Sequence, residues 1–399
     1  MSHNEDGIEV RDDANQTAPG FTRKDLLRRS ATAGAVLLGS GAILGGSGLD
    51  ASASSSSTPA KAPSKGATAE YPGDPAWDAT VRKIVGGRTL TIGYTPPAGE
   101  EYYNLIVHGA WSQMREYHTR FGLNFDWKTF IPSSHQSVET QIAAIQAWAT
   151  QKVNVALVCT AGDFTSMQRT YVAAEKKGVH VYQFNMPAEL WNPSSINTVS
   201  NIGYNNNLQS GYIAGTYIAQ KLRGRGNLIL IWGIPGHWAT SRMNGLHAAL
   251  KSYPGVKIVG FQRGNYVRDL GLNAAQNLLQ HNPHVNAIYG ENDEMALGAS
   301  QAIDLQALQH WNGKSGILVI GADGTNTGYE AIKRGKLTAS VNVNPVENGR
   351  QAIKAIFYHE ILGYSVDKVI NVPTVVVDKT NVAEAEAYDS WALTVPNHL

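Results

Sequence analysis

The side chains most suited to chemistry in this sequence are a single cysteine, scattered histidines and the adjacent carboxylates of Asp293 and Glu294. Cys159 lies in an apolar run typical of a buried strand, so we expect it to be a core residue. His281 and His284 flank an Asn-Pro turn and lack the spacing of a metal site. Asp293 and Glu294 stand where a helix is predicted to begin, a position that favours acidic residues. Because the sequence also lacks Gly-x-Ser-x-Gly, P-loop and His-Glu-x-x-His motifs, it predicts a protein that is not an enzyme and that uses no cofactor or metal.

The elements that would position a binding site are short β-branched runs alternating with longer segments of helical periodicity. The predicted strands are residues 90–95, 153–159, 179–184, 227–232, 257–261, 287–289 and 317–320. This alternation is typical of parallel sheets covered by helices, and about 330 folded residues exceed what one core usually serves. The sequence therefore predicts an α/β protein of two doubly wound parallel-sheet lobes, in which ligands bind beyond the carboxyl ends of the strands.

Three motifs follow one another in the second half of the chain. They are Glu-Asn-Asp-Glu-Met-Ala-Leu-Gly-Ala at 291–299, Val-Ile-Gly-Ala-Asp-Gly-Thr at 319–325 and Gly-Lys-Leu-Thr-Ala-Ser-Val at 335–341. Segments 200–206, 211–215 and 233–245 extend the match. Together they resemble the ribose-binding family of periplasmic sugar receptors, type I periplasmic binding proteins that serve ABC transporters. The resemblance covers residues 89–379 and implies two similar lobes that are joined by a three-segment hinge and close on a sugar.

The resemblance also implies ligand-binding residues in the second lobe. Asp323 matches the family's ligand carboxylate, Asn292 its ligand amide and Arg242 its arginine, and such planar groups suit sugar hydroxyls. Tyr266 matches a ring position of the same lobe. Each polar residue also has a structural explanation, since Asp323 could cap the following helix, Asn292 could order a turn, and Arg242 could form a surface salt bridge.

Aromatic residues complete the site that the resemblance implies. Tyr102 and Tyr103 stand where the family has two adjacent phenylalanines after the first strand, and they could stack on the apolar face of a sugar. Trp238, in the loop before Arg242, is a further candidate because of its position.

The sequence departs from the family pattern at two positions that touch the ligand. After Phe184 the family has Asp-Arg, where this chain has Asn185-Met186, so we expect Asn185 to hold the ligand without a charge. The hinge glutamine of the family is replaced by Val343, and either Asn342 or Asn344 beside it could face the cleft. Glu100 could restore a carboxylate. These changes predict a ligand other than ribose, with a pentose isomer, a hexose, an inositol and an open-chain polyol all left open.

The amino-terminal segment reads as an export signal. Residues 22–27, Thr-Arg-Lys-Asp-Leu-Leu, resemble a twin-arginine motif in which lysine replaces the second arginine, and a glycine-rich, charge-free run and an Ala-Ser-Ala cleavage site follow. We expect four segments along the chain: a signal peptide at 1–53, a linker at 54–87, an N-terminal lobe at 88–203 plus 344–372, and a C-terminal lobe at 204–343 plus 373–399.

Charge and cysteine usage restrict the function further. The chain carries 33 Lys and Arg against 32 Asp and Glu, with no basic cluster of the kind that binds nucleic acid. No cysteine follows the signal to accept a lipid anchor. We therefore expect a monomeric periplasmic or secreted protein that captures a sugar or polyol for an ABC permease complex. A sensory receptor that presents its ligand to a chemoreceptor or kinase is the alternative; a sugar-responsive repressor would need a helix-turn-helix where the leader stands.

Overall fold

The computed structural model describes residues 75–162, 164–186, 198–203 and 206–399. The predicted signal peptide and residues 54–74 of the predicted linker lie outside this part of the chain. The remainder of that linker contains helix α1 (Pro75–Val85). Its buried Trp77 packs edge-on against Phe121, with ring centroids 5.6 Å apart, so this segment is part of the folded protein.

Two six-stranded sheets form the centres of two lobes, which confirms the predicted fold. The strands of the first sheet are β1 (Thr89–Thr95), β2 (Asn124–Thr129), β3 (Val155–Val158), β4 (His180–Phe184), β5 (Ser200–Ile202) and β11 (Val369–Ile370). Their order is β11-β5-β4-β3-β1-β2, and every pairing is parallel. The helices of this lobe after α1 are α2 (Glu101–Phe121), α3 (Val138–Gln151), α4 (Phe164–Lys176) and α10 (Pro345–Ile356), which continues into a π-helical turn at Phe357–Ile361.

The second lobe repeats this arrangement. Its strands are β6 (Arg225–Trp232), β7 (Gly255–Arg263), β8 (Ala287–Gly290), β9 (Leu318–Asp323), β10 (Ala339–Asn342) and β12 (Val375–Asp378), in the order β12-β10-β9-β8-β6-β7. The helices are α5 (Asn206–Lys221), α6 (His237–Leu250), α7 (Arg268–His281), α8 (Asp293–Leu305) and α9 (Asn326–Lys333). The edge strand β12 runs antiparallel to β10, the one departure from parallel pairing among the named strands.

Within the described residues the chain passes between the two sheets three times, after β5, after β10 and after β11. The last helix, α11 (Val382–Thr394), contacts both lobes. On the first lobe its Ala392 and Trp391 pack with Leu105 and Val346. On the second lobe Lys333 donates to Glu386 of α11 at 2.6 Å.

Glycines let the helices within each lobe approach to backbone contact. A Cβ on Gly245 of α6 would overlap the carbonyl oxygen of Leu208 in α5, and a Cβ on Gly211 of α5 would overlap the carbonyl oxygen of Arg242 in α6. Matching contacts join α2 with α10 and α7 with α8 through Gly109, Gly349, Gly271 and Gly298. Since no larger residue fits these crossings without a backbone shift, each pair is held at one spacing.

No helix in the described part of the chain combines the length and the apolar character that a bilayer crossing requires.

Gly245→Ala should lower the free energy of unfolding by about 1–3 kcal/mol, because overpacking against fixed backbone outweighs the better helix propensity of alanine. Urea denaturation followed by circular dichroism measures this change. Gly99→Ala is the matched control, because its Cβ would meet only the end of the Ile131 side chain at 3.3 Å. Equal stability of the two variants would contradict the role given to the helix crossing.

Candidate functional site

A small buried cavity lies between the carboxyl ends of the strands of the two sheets. Its lining comes from both lobes and consists of Glu100, Tyr102, Tyr103, His135, Asn185, Trp238, Arg242, Tyr266, Asn292 and Asp323. All seven principal residues expected from the sequence are brought together here, along with Glu100 and Trp238 from the secondary candidates. His135 is the one lining residue that the sequence analysis missed.

A buried ion pair forms the polar centre of the cavity. The Arg242 Nη2 atom of α6 donates to Asp323 Oδ1 at 2.7 Å, and these side chains are only 5% and 10% exposed. Arg242 also donates from Nε to Asn207 Oδ1 at 3.1 Å and from Nη1 to the carbonyl oxygen of Glu291. Burial alone would lower the pKa of Arg242, but the Asp323 carboxylate raises the pKa above its ordinary value, so the guanidinium stays charged.

The structural explanations considered for Arg242 and Asp323 do not describe this geometry. Arg242 is buried, so its pair with Asp323 is no surface salt bridge. Helix α9 is capped by Thr325, whose hydroxyl accepts from the amide of Gly328 at 3.1 Å. Asp323 ends β9 with a φ of 110°, a strained conformation for a residue with a side chain. In this conformation Asp323 lines the cavity.

Asn292 has a structural role and also lines the cavity. Its Oδ1 accepts from the Met295 amide at 2.9 Å, which caps α8. Its Nδ2 donates to the carbonyl oxygen of Tyr266 at 3.2 Å. The hydrogen bonds therefore fix the amide plane and tie the loop before α7 to the start of α8.

The aromatic residues surround the ion pair from both lobes. Tyr102 and Tyr103 of α2 contact each other edge-on, with ring centroids 5.0 Å apart. Trp238 of α6 donates from Nε1 to the carbonyl oxygen of Asn185 at 3.0 Å, which links the second lobe to the first. The buried hydroxyls of Tyr102 and Tyr266 have no hydrogen-bond partner among the described residues. Buried hydroxyls without partners are rare in proteins, so two residues of the lining retain unused hydrogen-bonding capacity.

His135 and Glu100 form a second polar pair in the first lobe, with Nε2 and Oε1 3.4 Å apart. Burial raises the pKa of Glu100 to about 8 and lowers the pKa of His135 to about 4. At neutral pH both groups are therefore uncharged. His135 follows β2, whose sequence Asn-Phe-Asp-Trp-Lys-Thr combines charged and aromatic residues at the sheet edge and was not recognised as a strand. His135 was therefore not predicted to follow a strand.

Asn342 and Asn344 lie outside the lining of the cavity, at the hinge. The Asn342 Oδ1 atom accepts from the amide of Asn344, and Asn344 Nδ2 donates to the carbonyl oxygen of Pro373 at 2.9 Å. The carbonyl oxygen of Val343 accepts from Asn206 Nδ2 at 2.9 Å. These bonds tie the crossing segments to one another, so the asparagines flanking Val343 stabilise the hinge.

The two lobes are closed over the cavity. The Glu101 carboxylate at the start of α2 accepts from the amide of Asn326 at 2.8 Å and from the hydroxyl of Thr327 at 2.7 Å, both at the start of α9. The enclosed cavity measures about 20 Å³, room for about one water molecule. It adjoins a cleft of about 480 Å³ that shares five of its lining residues, Glu100, Tyr102, Tyr266, Asn292 and Asp323. A larger ligand therefore requires the lobes or the lining side chains to move apart.

A family model matches most of the folded chain. The model, described as a periplasmic binding protein domain, covers residues 92–360. This range contains the whole lining of the cavity.

Individual relatives match over shorter stretches. The ribose import binding protein of Bacillus subtilis is 31% identical over 248 residues, which cover 62% of this chain and 75% of that protein. The ribose import binding protein of Salmonella typhimurium is 36% identical over 149 residues, which cover 37% of this chain and 48% of that protein. The match thus spans about half the length of the Salmonella relative.

A solved structure with the same fold contains a bound sugar. It is an ABC transporter periplasmic solute-binding protein from Actinobacillus succinogenes with bound D-allose. The TM-score is 0.65 at 25% sequence identity, and the alignment covers 74% of this chain and 99% of the other.

Asp323→Ala should lower the free energy of unfolding by about 3–5 kcal/mol, because it leaves the Arg242 guanidinium buried without its partner. Adding Arg242→Met should recover part of that loss, since the uncompensated charge is removed. Denaturant titrations of the wild type, both single variants and the double variant give the coupling energy. Additive losses would show that the two side chains do not stabilise each other.

Proposed function

This chain belongs to the periplasmic binding protein family, and we propose that it captures a small, uncharged sugar or polyol between its lobes and delivers it to an ABC permease. The proposal for the ligand rests on the composition of the cavity. The role in transport is supported by the names of the relatives, which are import binding proteins and an ABC transporter component.

The observation that carries the proposal is a cavity lined from both lobes whose charges cancel. Arg242 and Asp323 neutralise each other at 2.7 Å. The raised pKa of Glu100 and the lowered pKa of His135, both caused by burial, leave that pair uncharged. A charged ligand would meet no uncompensated opposite charge among the lining residues, whereas a neutral ligand avoids the desolvation cost of a second buried charge.

The polar and aromatic groups of the cavity suit a polyhydroxy compound. The orphaned hydroxyls of Tyr102 and Tyr266 each can donate and accept a hydrogen bond. Rings of Tyr103 and Trp238 provide flat apolar surfaces for the C–H face of a sugar. The family motif at Asn185 lacks both charges of its usual Asp-Arg pair, which favours a ligand other than ribose.

The cavity and the adjoining cleft share Asn292 and Asp323, and their combined size suits a short polyol or a single sugar ring. At about 20 Å³, the closed cavity must expand to admit a polyol or a sugar ring. Each further sugar ring would require a larger separation of the two lobes. The adjoining cleft of about 480 Å³ provides the route of entry.

Capture would proceed by closure of the lobes on the ligand. The bond from Trp238 to Asn185 and the bonds from α9 to Glu101 cross between the lobes and form only when these approach. A ligand that contacts both lobes shifts the population toward this closed form by its differential affinity for the two forms. The closed form would then be recognised by the permease.

The remaining features of the proposal concern location and assembly. The leader at 1–53 supports export to the periplasm or secretion, with a twin-arginine-like signal as the suggested route. We also propose that the protein is a monomer. We propose binding without catalysis, since the cavity pairs its acids and bases with each other and holds its arginine in the ion pair.

Asp323→Asn should weaken the binding of the cognate compound at least about 10-fold, because the amide cannot accept charge-assisted hydrogen bonds at both of its atoms. The cognate compound comes first from a thermal-shift screen of pentoses, hexoses, inositols and polyols. Ligand at about 100 times its dissociation constant should stabilise the protein by about 2.7 kcal/mol. Isothermal titration then compares the variants.

Asp304→Asn is the matched control for this experiment. Asp304 pairs with Lys336 and His310 on the surface of the second lobe, so its replacement should leave affinity unchanged. A response to no carbohydrate or polyol would refute the ligand class. Unaltered affinity in Asp323→Asn would refute the assignment of the site.

Affinity should decrease as the pH rises from about 6.5 through 8. In the closed form burial raises the pKa of Glu100 from its ordinary 4.5 to about 8, so closure from a form in which Glu100 is solvated takes up a proton and is favoured at lower pH. His135 acts in the opposite direction, because its pKa falls from 6.5 to about 4 on burial, and it offsets Glu100 only below about pH 6.5. Uptake of one proton on closure can change the ligand affinity by at most about tenfold per pH unit.

Glu100→Gln tests the origin of this pH dependence. The variant cannot titrate, so its affinity measured by isothermal titration should stay flat over the same range. Asp293, whose pKa is raised to about 7 by burial, bonds only within the second lobe through Thr325 and Ser340 and should contribute equally in both forms. The same decline in Glu100→Gln would place the titrating group elsewhere.

A further inference from the structure

A cluster of two imidazoles and one carboxylate lies on the first lobe, away from the ligand cavity. His180 is the first residue of β4, and His359 and Glu360 lie in the π-helical turn Phe357–Ile361. The ligand cavity lies beyond the carboxyl ends of the strands, whereas His180 stands at the amino end of its strand. The cluster therefore belongs to the opposite edge of the sheet.

The Glu360 carboxylate is the centre of this cluster. Its two oxygens lie 2.9 and 2.8 Å from His180 Nδ1, and Oε1 lies 2.8 Å from His359 Nδ1. The two imidazole rings stand nearly perpendicular, at 75°, with centroids 5.3 Å apart. One donor atom from each of the three residues falls within 4.8 Å of the others.

Two imidazole nitrogens and a carboxylate oxygen are a donor set that Zn²⁺ prefers. Four-coordinate zinc holds nitrogen and oxygen ligands at about 2.0–2.2 Å in tetrahedral geometry, which places them about 3.3–3.6 Å apart. The hydrogen-bonded contacts of 2.8–2.9 Å to Glu360 therefore lengthen when the ion replaces the imidazole protons. A fourth, open position would be left for water, as in other three-ligand zinc sites.

The surroundings of the cluster are those of a metal site rather than of an exposed ion pair. Tyr182 donates its hydroxyl to Glu360 Oε1 at 2.8 Å, the kind of outer hydrogen bond that orients a metal ligand. The Glu360 side chain is 11% exposed, while His180 and His359 are 39% and 30% exposed. An ion can thus reach the imidazoles from solvent while the carboxylate stays largely dehydrated.

The backbone supplies a second indication. A π-helical turn interrupts the regular end of α10 at Phe357–Ile361, and such turns occur frequently at functional sites. The wider turn reduces the angle between successive side chains and lets the neighbours His359 and Glu360 face one point. We propose that His180, His359 and Glu360 form a binding site for a divalent transition-metal ion of the zinc type.

Isothermal titration of ZnCl₂ into the full chain, stripped of metal with a chelator, tests the site. We expect one saturable event that His180→Ala and His359→Ala each weaken by more than about 10-fold, and that Tyr182→Phe weakens less strongly through loss of the outer hydrogen bond. Co²⁺ titration followed by visible absorption gives a second readout, because bands of low-symmetry coordination should appear in the wild type and be lost in both histidine variants.

His247→Ala is the matched control, since His247 is an exposed histidine on α6. It should bind Zn²⁺ as the wild type does. Melting curves in chelator establish that each variant folds, and His359→Ala gives an independent readout if His180→Ala does not fold. The absence of saturable binding would overturn the proposal. So would binding that neither histidine variant weakens, because the ion would then be held by other groups of the chain.

Discussion

The close approach of paired helices sets the position of the binding residues in both lobes. Gly211 packs against the backbone carbonyl of Arg242 itself. The spacing of α5 and α6 therefore sets the backbone position from which the Arg242 side chain extends. Gly271 packs against the backbone of Met295, whose amide is capped by Asn292. In the first lobe, α2 crosses α10 at Gly109, within two helical turns of Tyr102 and Tyr103. The cavity is therefore built on backbone contacts that a side chain would break.

Once the helices are placed, electrostatics decides what the cavity accepts. A single buried charge would be costly, and every charge in the lining has a partner or is suppressed. Arg242 and Asp323 form an ion pair, while burial keeps Glu100 protonated and His135 neutral. Asp323 and Glu294 of the second lobe add to the effect of burial in raising the pKa of Glu100, so the polarity of the cavity depends on how the two lobes are placed.

Apolar strand runs that alternate with helical segments predicted the two-lobe fold and the edge of the sheets where a ligand binds, and the resemblance to the ribose-binding family predicted most of the cavity lining. His135 was missed because β2 is an edge strand in which charged and aromatic residues mask the strand signal. Asn342 and Asn344 were expected near the ligand from their neighbours in sequence, but their hydrogen bonds hold the hinge. Neither closure of the lobes nor the junction of His180 with Glu360, 180 residues away, can be read from local patterns, because both depend on tertiary packing.

Helix α11 bears on how the lobes can rotate. Its contact on the first lobe includes Val346, which follows the crossing segment at Asn344 almost directly, so the contact lies close to the axis of any hinge motion. Its contact on the second lobe combines the Lys333–Glu386 ion pair with buried residues, since Asp389 of α11 and Tyr329 of α9 are both buried. A contact near the axis has a short lever arm and moves little during opening. Because α11 packs on both lobes, any change in the angle between them has to be accommodated at one of these two contacts.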